Sequence, residues 1–244
     1  MTDTPPTQRR LTGLLLALLL LAQIDQPYPE VALLQHIPTM LLIVAAPWLL
    51  RRWRLSTASV ACIVLFMALH TLGGRYAYSN VPYDDWAHAL TGTSLSDAFG
   101  WTRNHYDRLV HFAFGALSVI PVAEAARPWG GLGPRGAALA VFGWVLAISC
   151  LYEIFEWLLT IVAAGETADR YNGQQGDIWD AQKDMALALL GAILVLAIPR
   201  PRYRSCVTDG CAWPNWSAIV RALSPDSSSR VAVVLRSEWL VSHG

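Results

Sequence analysis

Acidic and histidine side chains recur at helical spacing in the most apolar part of this 244-residue sequence. Asp177, Asp180 and Asp184 lead into the apolar run 185–198 at positions i, i+3 and i+7, which share one face of a helix. An ionisable side chain at membrane depth costs roughly 2.5 to 3.5 kcal/mol on insertion scales. We therefore expect this face to point into a protein interior, where its carboxylates would form a site.

Two other apolar segments carry polar stripes of the same kind. Asp107 and His111 lie one helical turn apart, and Gly115 and Ser118 continue their stripe. The segment 136–164 carries a stripe at i, i+4, i+7 and i+11 that consists of Ser149, Glu153, Glu156 and Thr160. At about 1.5 Å of rise per residue, these stripes and the aspartates reach a common depth in the outer half of the membrane.

The common depth predicts one outward-facing cavity rather than several separate sites. We expect the carboxyl groups of Asp107, Glu153 and Asp184 to lie within about 10 Å of one another, the scale of two packed helices. His111 should line the same wall. Gly191, two turns beyond the aspartates, is expected to permit close contact between helices.

The charge balance limits what such a cavity can be. The candidate carboxylates outnumber the nearby cations Arg103, Arg108 and Lys183, and they are Asp107, Glu153, Glu156, Asp177, Asp180 and Asp184. An excess of negative charge at this depth requires protonation, water or a bound cation. Carboxylates with imidazole suit Zn, Mn or Fe, and carboxylates alone would also accept Mg or Ca.

We assign three roles to these side chains as hypotheses. The expected metal ligands are Asp107, His111, Asp180 and Asp184. The expected acid–base groups are Glu153, Glu156 and His111. The groups placed to bind a phosphate or another substrate anion are Arg103, Arg108 and His105.

Purely structural roles remain open for the same residues. Glu153 and Glu156 could form an interhelical hydrogen bond or an ion pair with Arg108. Asp177 could act only as a helix N-cap. The boundary histidines, His70 and His105, could simply be solvated.

Composition and hydropathy place these stripes in a membrane protein. The chain is 54% apolar, only 15% charged, and has a mean hydropathy of +0.36. Six apolar runs are long enough to predict an all-α, polytopic membrane protein, and they are 11–24, 31–50, 55–72, 109–126, 136–164 and 180–198. The first is short, but no cleavage site follows it, so we expect it to be retained. Because the arginines are dispersed, nucleic-acid binding is excluded.

Loop arginines predict the orientation. Ten of them flank the runs on one side and are Arg9, Arg10, Arg51, Arg52, Arg54, Arg127, Arg135, Arg200, Arg202 and Arg204. Both termini are therefore expected in the cytoplasm, with residues 1–204 forming the transmembrane domain and 205–244 a poorly ordered cytoplasmic tail. The long outer loop 73–106 either covers the cavity or lies at the membrane interface.

Three ordered motifs add a family resemblance across residues 70–198. They read RNHYDRLxHF at 103–112, YExxEW at 152–157 and QGDxWDxQKD at 175–184, and they resemble the YjdF family of bacterial inner-membrane proteins of unknown function. This resemblance implies a location in the bacterial inner membrane. More distantly, DRLxHF at 107–112, an intramembrane Glu and the final helix with Gly191 are similar to VanZ-like membrane proteins. Arg108 stands where that group usually has Lys, and Glu156 where it often has Gln.

Neither resemblance supplies a reaction, so three hypotheses remain. The leading one is an enzyme that uses a divalent metal ion on a lipid or lipid-linked envelope substrate. The second is a proton- or ion-coupled carrier, which would need a polar path through the membrane. The third is a non-catalytic accessory or sensing protein, in which each carboxylate would be matched by an Arg or amide.

Overall fold

The protein is built from helices throughout the part of the chain that the structure describes. A computed structural model describes residues 4–53, 55–126, 132–162 and 174–198. The helices there are α1 Pro6–Ala22, α2 Pro29–Trp53, α3 Thr57–Arg75, α4 Tyr83–Thr91, α5 Leu95–Phe99, α6 Tyr106–Ala126, α7 Pro134–Val162 and α8 Asp180–Ala197. No strand occurs among these residues.

The six long helices coincide with the six predicted apolar segments. Four of them, α2, α3, α6 and α7, are long and apolar enough to cross a membrane. Helix α1 has 17 residues, and α8 carries three charged side chains among its 18. The all-α membrane class is therefore confirmed, while the number of six spans and the cytoplasmic termini remain predictions. The predicted disordered tail, 205–244, lies outside the described residues.

Helix α6 is the centre of the packing and contacts α3, α7 and α8. Its backbone approaches that of α8 closely at two glycines. A Cβ on Gly115 would lie 1.7 Å from the carbonyl oxygen of Ala188, and one on Gly191 would lie 2.2 Å from that of Phe112. The predicted role of Gly191 is confirmed, and Gly115 has the same role from the opposite side.

An apolar layer fills the space between α6, α7 and α8 towards the ends remote from the aspartates. Val119, Val141, Val145, Ala188 and Ala192 have no exposed surface. The polar stripes therefore lie at one end of this three-helix unit, and tightly packed aliphatic side chains lie at the other.

The loop between α3 and α6 contains α4 and α5, whose ends are fixed locally. Gly92 and Gly100 end these helices at φ of 79° and 66°, a conformation that favours glycine. Asp84 accepts hydrogen bonds from the hydroxyl of Ser96 at 2.6 Å and from its backbone N–H at 3.0 Å. The hydroxyl contact is the main reason that the pKa of Asp84 is lowered.

Candidate intramembrane acidic site

The mouth of the site is a set of ion pairs that we call the outer layer, formed by Arg103, Arg108, Asp177, Asp180 and Lys183. Arg103 Nη1 lies 2.6 Å from Asp180 Oδ1, and Arg108 Nη2 lies 2.5 Å from Asp177 Oδ2. Lys183 Nζ lies 2.6 Å from Asp177 Oδ2. Each aspartate in this layer is thus matched by at least one cation.

Hydrogen bonds between two loops hold the outer layer in place. The backbone N–H of Asn104 donates to Gln175 Oε1 at 2.9 Å, and Gln175 Nε2 donates to the carbonyl of Asn104 at 3.0 Å. The Asn104 side chain also donates to the carbonyl of Val81 at 2.9 Å. The segment before α6 is therefore tied both to the segment before α8 and to the turn after α3.

The carboxyl of Asp177 is stabilised in its charged form. Its pKa is lowered to about 2, first by the hydrogen bond from Lys183, then by the backbone N–H of Trp179, with Arg108 also contributing. Asp177 therefore does more than cap a helix, because its carboxylate also pairs with Arg108 and Lys183.

Below the outer layer lies a second group, the inner cluster, formed by Asp107, His111, Glu153 and Asp184. One ligand atom each from Asp107, His111 and Asp184 can be chosen so that all lie within 4.8 Å of one another. His111 Nε2 is 3.6 Å from Asp107 Oδ1 and 3.7 Å from Glu153 Oε1. The predicted meeting of Asp107, Glu153, Asp184 and His111 is therefore confirmed by these distances.

The inner cluster differs from the outer layer in its charge pairing: among the described residues, no Lys or Arg forms an ion pair with Asp107, Glu153 or Asp184. Glu153 Oε1 and Asp184 Oδ1 are buried and make no hydrogen bond there. Asp184 is only 2% exposed, so its carboxyl group is shielded from bulk water and pairs with no Lys or Arg in this part of the chain.

A cavity of about 290 Å³ opens beside the inner cluster. Asp107, His111, Ser149 and Tyr152 line one side of it. The hydroxyl of Ser149 is buried and has no hydrogen-bond partner among the described residues. The cavity can therefore receive a small polar group next to the Ser149 hydroxyl.

The opposite side of this cavity is formed by His70 and Tyr78. His70 Nε2 donates to the carbonyl of Gln35 at 2.8 Å, and the hydroxyl of Tyr78 donates to His70 Nδ1. His70 is thus a buried, neutral histidine rather than a solvated one. Helical spacing does not reveal Tyr78, because this residue lies in an irregular turn at φ 53° and belongs to no helical stripe.

Two other predicted site residues lie around the inner cluster. Asp180, an expected metal ligand, is buried but binds Arg103 in the outer layer. Glu156 is half-buried and hydrogen-bonds with the Tyr152 side chain. The α7 stripe ends there, since Thr160 is exposed and donates to the carbonyl of Trp157.

His105 lies at the rim, against the ring of Trp101. Its pKa is lowered, first by partial burial and then by the positive charges of Arg108 and Arg103. It is therefore neutral at neutral pH and can donate or accept one hydrogen bond. The arginine beside it, Arg108, has a buried Nε with no partner among the described residues.

Comparisons with known proteins agree with this architecture. The family model described as "Predicted membrane protein (DUF2238)" matches residues 7–203. "Inner membrane protein YjdF" of Escherichia coli (strain K12) is 36% identical over 144 residues, which are 59% of this chain and 65% of the relative. The chain thus covers slightly less than two thirds of that relative's length. No solved structure matches the chain.

These matches confirm the resemblance to the YjdF family, whereas the more distant similarity to VanZ-like proteins remains a prediction. They also place the protein in the bacterial inner membrane, as a multi-pass protein. The chain belongs to the DUF2238 family of predicted membrane proteins.

Proposed function

We propose that the protein is a membrane-embedded enzyme that uses a divalent metal ion on a lipid or lipid-linked substrate. The observation that supports this most strongly is the inner cluster. Asp107, His111 and Asp184 are all buried, offer ligand atoms within 4.8 Å of one another, and have no Lys or Arg partner in the described residues. A bound cation would balance carboxylate charge that no Lys or Arg of the described residues pairs with.

The donor set and its spacing fit a divalent ion. Carboxylate oxygen and imidazole nitrogen suit Zn, Mn or Fe. Two donors each about 2.1 Å from one tetrahedral ion lie ~3.4 Å apart. The 3.6 Å between His111 Nε2 and Asp107 Oδ1 is close to this value. Coordination would also give the buried Asp184 Oδ1 a partner.

Glu153 is suited to move a proton at this site. Its Oε1 lies 3.7 Å from His111 Nε2 and makes no hydrogen bond among the described residues. A bound divalent ion would supply Lewis-acid chemistry, which activates water or polarises a phosphoryl or carbonyl oxygen. Glu153 would accept the proton that such a water or a substrate hydroxyl loses. Glu156, one turn away, would serve as a second proton acceptor.

The arginines at the mouth would bind the anionic part of the substrate. Arg103 and Arg108 already contact Asp177 and Asp180, so an incoming phosphate would share their guanidinium groups. The buried Nε of Arg108 still has an N–H to donate. His105 at the rim would add one neutral hydrogen bond.

The apolar layer supports an enzyme over a carrier. A carrier needs polar groups on both sides of its binding site. Beneath the inner cluster, Val119, Val141 and Val145 are fully buried in aliphatic packing. In a non-catalytic accessory protein, we expect each acidic group to be paired with a cation. The outer layer meets this expectation, but within the described residues the inner cluster does not.

The enzymatic proposal can be tested without knowing the substrate. Purified protein is incubated with a total lipid extract of bacterial inner membranes, with and without added Mn²⁺ or Zn²⁺, and the lipids are compared by mass spectrometry. We expect a metal-dependent conversion of one lipid class by the wild type and none by Glu153→Gln. Thr160→Val is the matched control on α7, since Thr160 is exposed and outside the cluster. The same lipid profile for wild type and Glu153→Gln would overturn the proposal.

A further inference from the structure

A second, much larger cavity runs beside the cavity at the inner cluster. It has a volume of about 910 Å³ and is lined almost wholly by apolar side chains of α1, α2, α3, α6 and α7. This is close to the upper end of the range for small-molecule sites, roughly 300 to 1,000 Å³. Leu42 and Ala46 of α2 face it from one side, and Ala140 and Trp144 of α7 from the other. We call this cavity the apolar groove.

The apolar groove has the length of a hydrocarbon chain in one membrane leaflet. Its lining extends from Leu55, just before α3, to Phe66 of α3, and along α6 from Phe114 to Ala126. At 1.5 Å per residue the α6 stretch measures roughly 18 Å. Half of a bilayer's hydrocarbon core is about 15 Å thick.

The apolar groove shares a wall with the cavity at the inner cluster. Phe66 and Phe114 line both, and their ring centroids lie 5.4 Å apart. On one side of this aromatic pair lie Asp107 and His111, and on the other the lining is apolar except for the hydroxyl residues Thr12 and Ser118. A molecule with a polar head and a long apolar chain would satisfy both cavities at once. A partner helix would fill the apolar groove and leave the cavity at the inner cluster unoccupied.

We infer that the apolar groove binds the hydrocarbon chain of the substrate whose polar head lies at the inner cluster. This inference rests on the proposed function, because the head group is assigned to the site described there. It narrows the substrate to lipids with at least one chain long enough to pass Phe66 and Phe114 and extend through the groove. Because lipid tails are as apolar as the groove lining, the chain would contribute binding free energy through van der Waals packing rather than through the hydrophobic effect.

Gly143 provides a way to fill the groove without disturbing the fold. It lines the groove, and a Cβ built on it meets no atom within 4 Å. Gly143→Leu would therefore occupy space that a chain needs. Gly13→Leu is the matched control, since Gly13 also lies in a long apolar helix with open space around it but does not line the groove.

The test uses a phospholipid with a diazirine on a palmitoyl chain, incorporated into vesicles of phosphatidylethanolamine and phosphatidylglycerol with the full-length protein. After irradiation, mass spectrometry locates the adducts. We expect adducts at the half-buried groove residues Ile63 and Val122, reduced by about tenfold in Gly143→Leu and unchanged in Gly13→Leu. Adducts at the outward-facing Leu33, which contacts bulk lipid, should be equal in all three proteins.

Two results would overturn the inference. One is equal labelling of Ile63 and Val122 in wild type and Gly143→Leu. The other is their absence together with a photochemical cross-link between two copies of the chain through the groove. Metal content, measured on the same samples, separates this inference from the proposed function. If wild-type protein binds metal but shows no groove adducts, only the groove inference is contradicted. If groove adducts form without any bound metal, only the proposed metal site is contradicted.

Discussion

The outer layer and the inner cluster contain similar acidic side chains, but the chain compensates their charges differently. In the outer layer, Asp177 and Asp180 are matched by Arg103, Arg108 and Lys183 at distances down to 2.5 Å. In the inner cluster, Asp107, Glu153 and Asp184 have no such partner among the described residues. The nearby cations that the structure describes, Arg103, Arg108 and Lys183, are bound at the mouth, where water could have screened the aspartates.

This difference separates two uses of acidic residues in a membrane protein. Paired carboxylates join segments, and here they join the loops that precede α6 and α8. Carboxylates at depth that are unpaired within the described part of the chain are costly, so their presence indicates a bound ligand or proton. The experiments below test that contrast, beginning with the largest expected effect.

Both regions depend on the close contact between α6 and α8, so separating these helices should disrupt both. We expect Gly115→Leu to destabilise the protein by about 3 kcal/mol or more, because its side chain would collide with the backbone of Ala188. Thermal unfolding in detergent measures this. Gly143→Leu, on a face with open space, should unfold within a few degrees of wild type. Equal unfolding temperatures for Gly115→Leu and wild type would show that the close contact is absent.

The same Asp→Asn change should affect metal affinity strongly in the inner cluster and only weakly in the outer layer. Asp184→Asn removes a proposed metal ligand. Changes to the residues around a metal ligand weaken affinity by up to about 100-fold. We therefore expect loss of the ligand itself to weaken Mn²⁺ or Zn²⁺ affinity by more than about 100-fold. Asp177→Asn, which changes an aspartate of the outer layer, should leave affinity within a few-fold of wild type. Isothermal titration calorimetry of both variants makes the comparison. A larger loss for Asp177→Asn than for Asp184→Asn would reverse the assigned roles.

Acid should weaken the outer layer at a pH set by Asp177. Its pKa is about 2 in the folded protein against an ordinary 3.8, so its contribution to stability is complete above about pH 4 and is lost as the pH falls towards 2. The measurement is the difference in unfolding temperature between wild type and Asp177→Asn across this range. The difference should be constant near neutral pH and should shrink below pH 4. A difference that grows on acidification would contradict the charged pairing.

The smallest effect is expected for Lys183, whose side chain is 49% exposed. Replacing it with Met should cost less than about 1 kcal/mol, because exposed ion pairs contribute little and Asp177 retains Arg108. Added salt should reduce the cost further. Chemical denaturation at low and high salt tests both statements. A cost above that of Gly115→Leu would mean that Lys183 has a structural role that its exposure does not indicate.

Helical periodicity was sufficient to predict much of this arrangement. Six long apolar segments correspond to six long helices, and the stripe from Asp107 through His111 to Ser118 faces the interior as expected. Glu153 and Asp184 could be placed beside it because a carboxylate facing lipid is costly. These inferences depend only on spacing and depth, which the sequence contains.

The pairing at the mouth could not be predicted in the same way. Arg103 and Asn104 lie in a non-periodic segment, and their positions are set by contacts with Gln175 and Val81 that are distant in sequence. For this reason the sequence suggested Asp180 as a metal ligand, whereas its carboxylate contacts Arg103. The apolar groove was likewise invisible, because it is a gap between helices rather than a pattern within one.

The most direct test of the contrast is crystallographic. Crystals of the full-length protein grown with Mn²⁺ or Zn²⁺ are measured at the absorption edge of the metal, and the anomalous peak is located. We expect one strong peak about 2.0 to 2.2 Å from ligand atoms of Asp107, His111 and Asp184, with no peak at Asp177 or Asp180. A peak at the outer layer instead, or no peak at the inner cluster under saturating metal, would contradict a metal site built from unpaired intramembrane carboxylates.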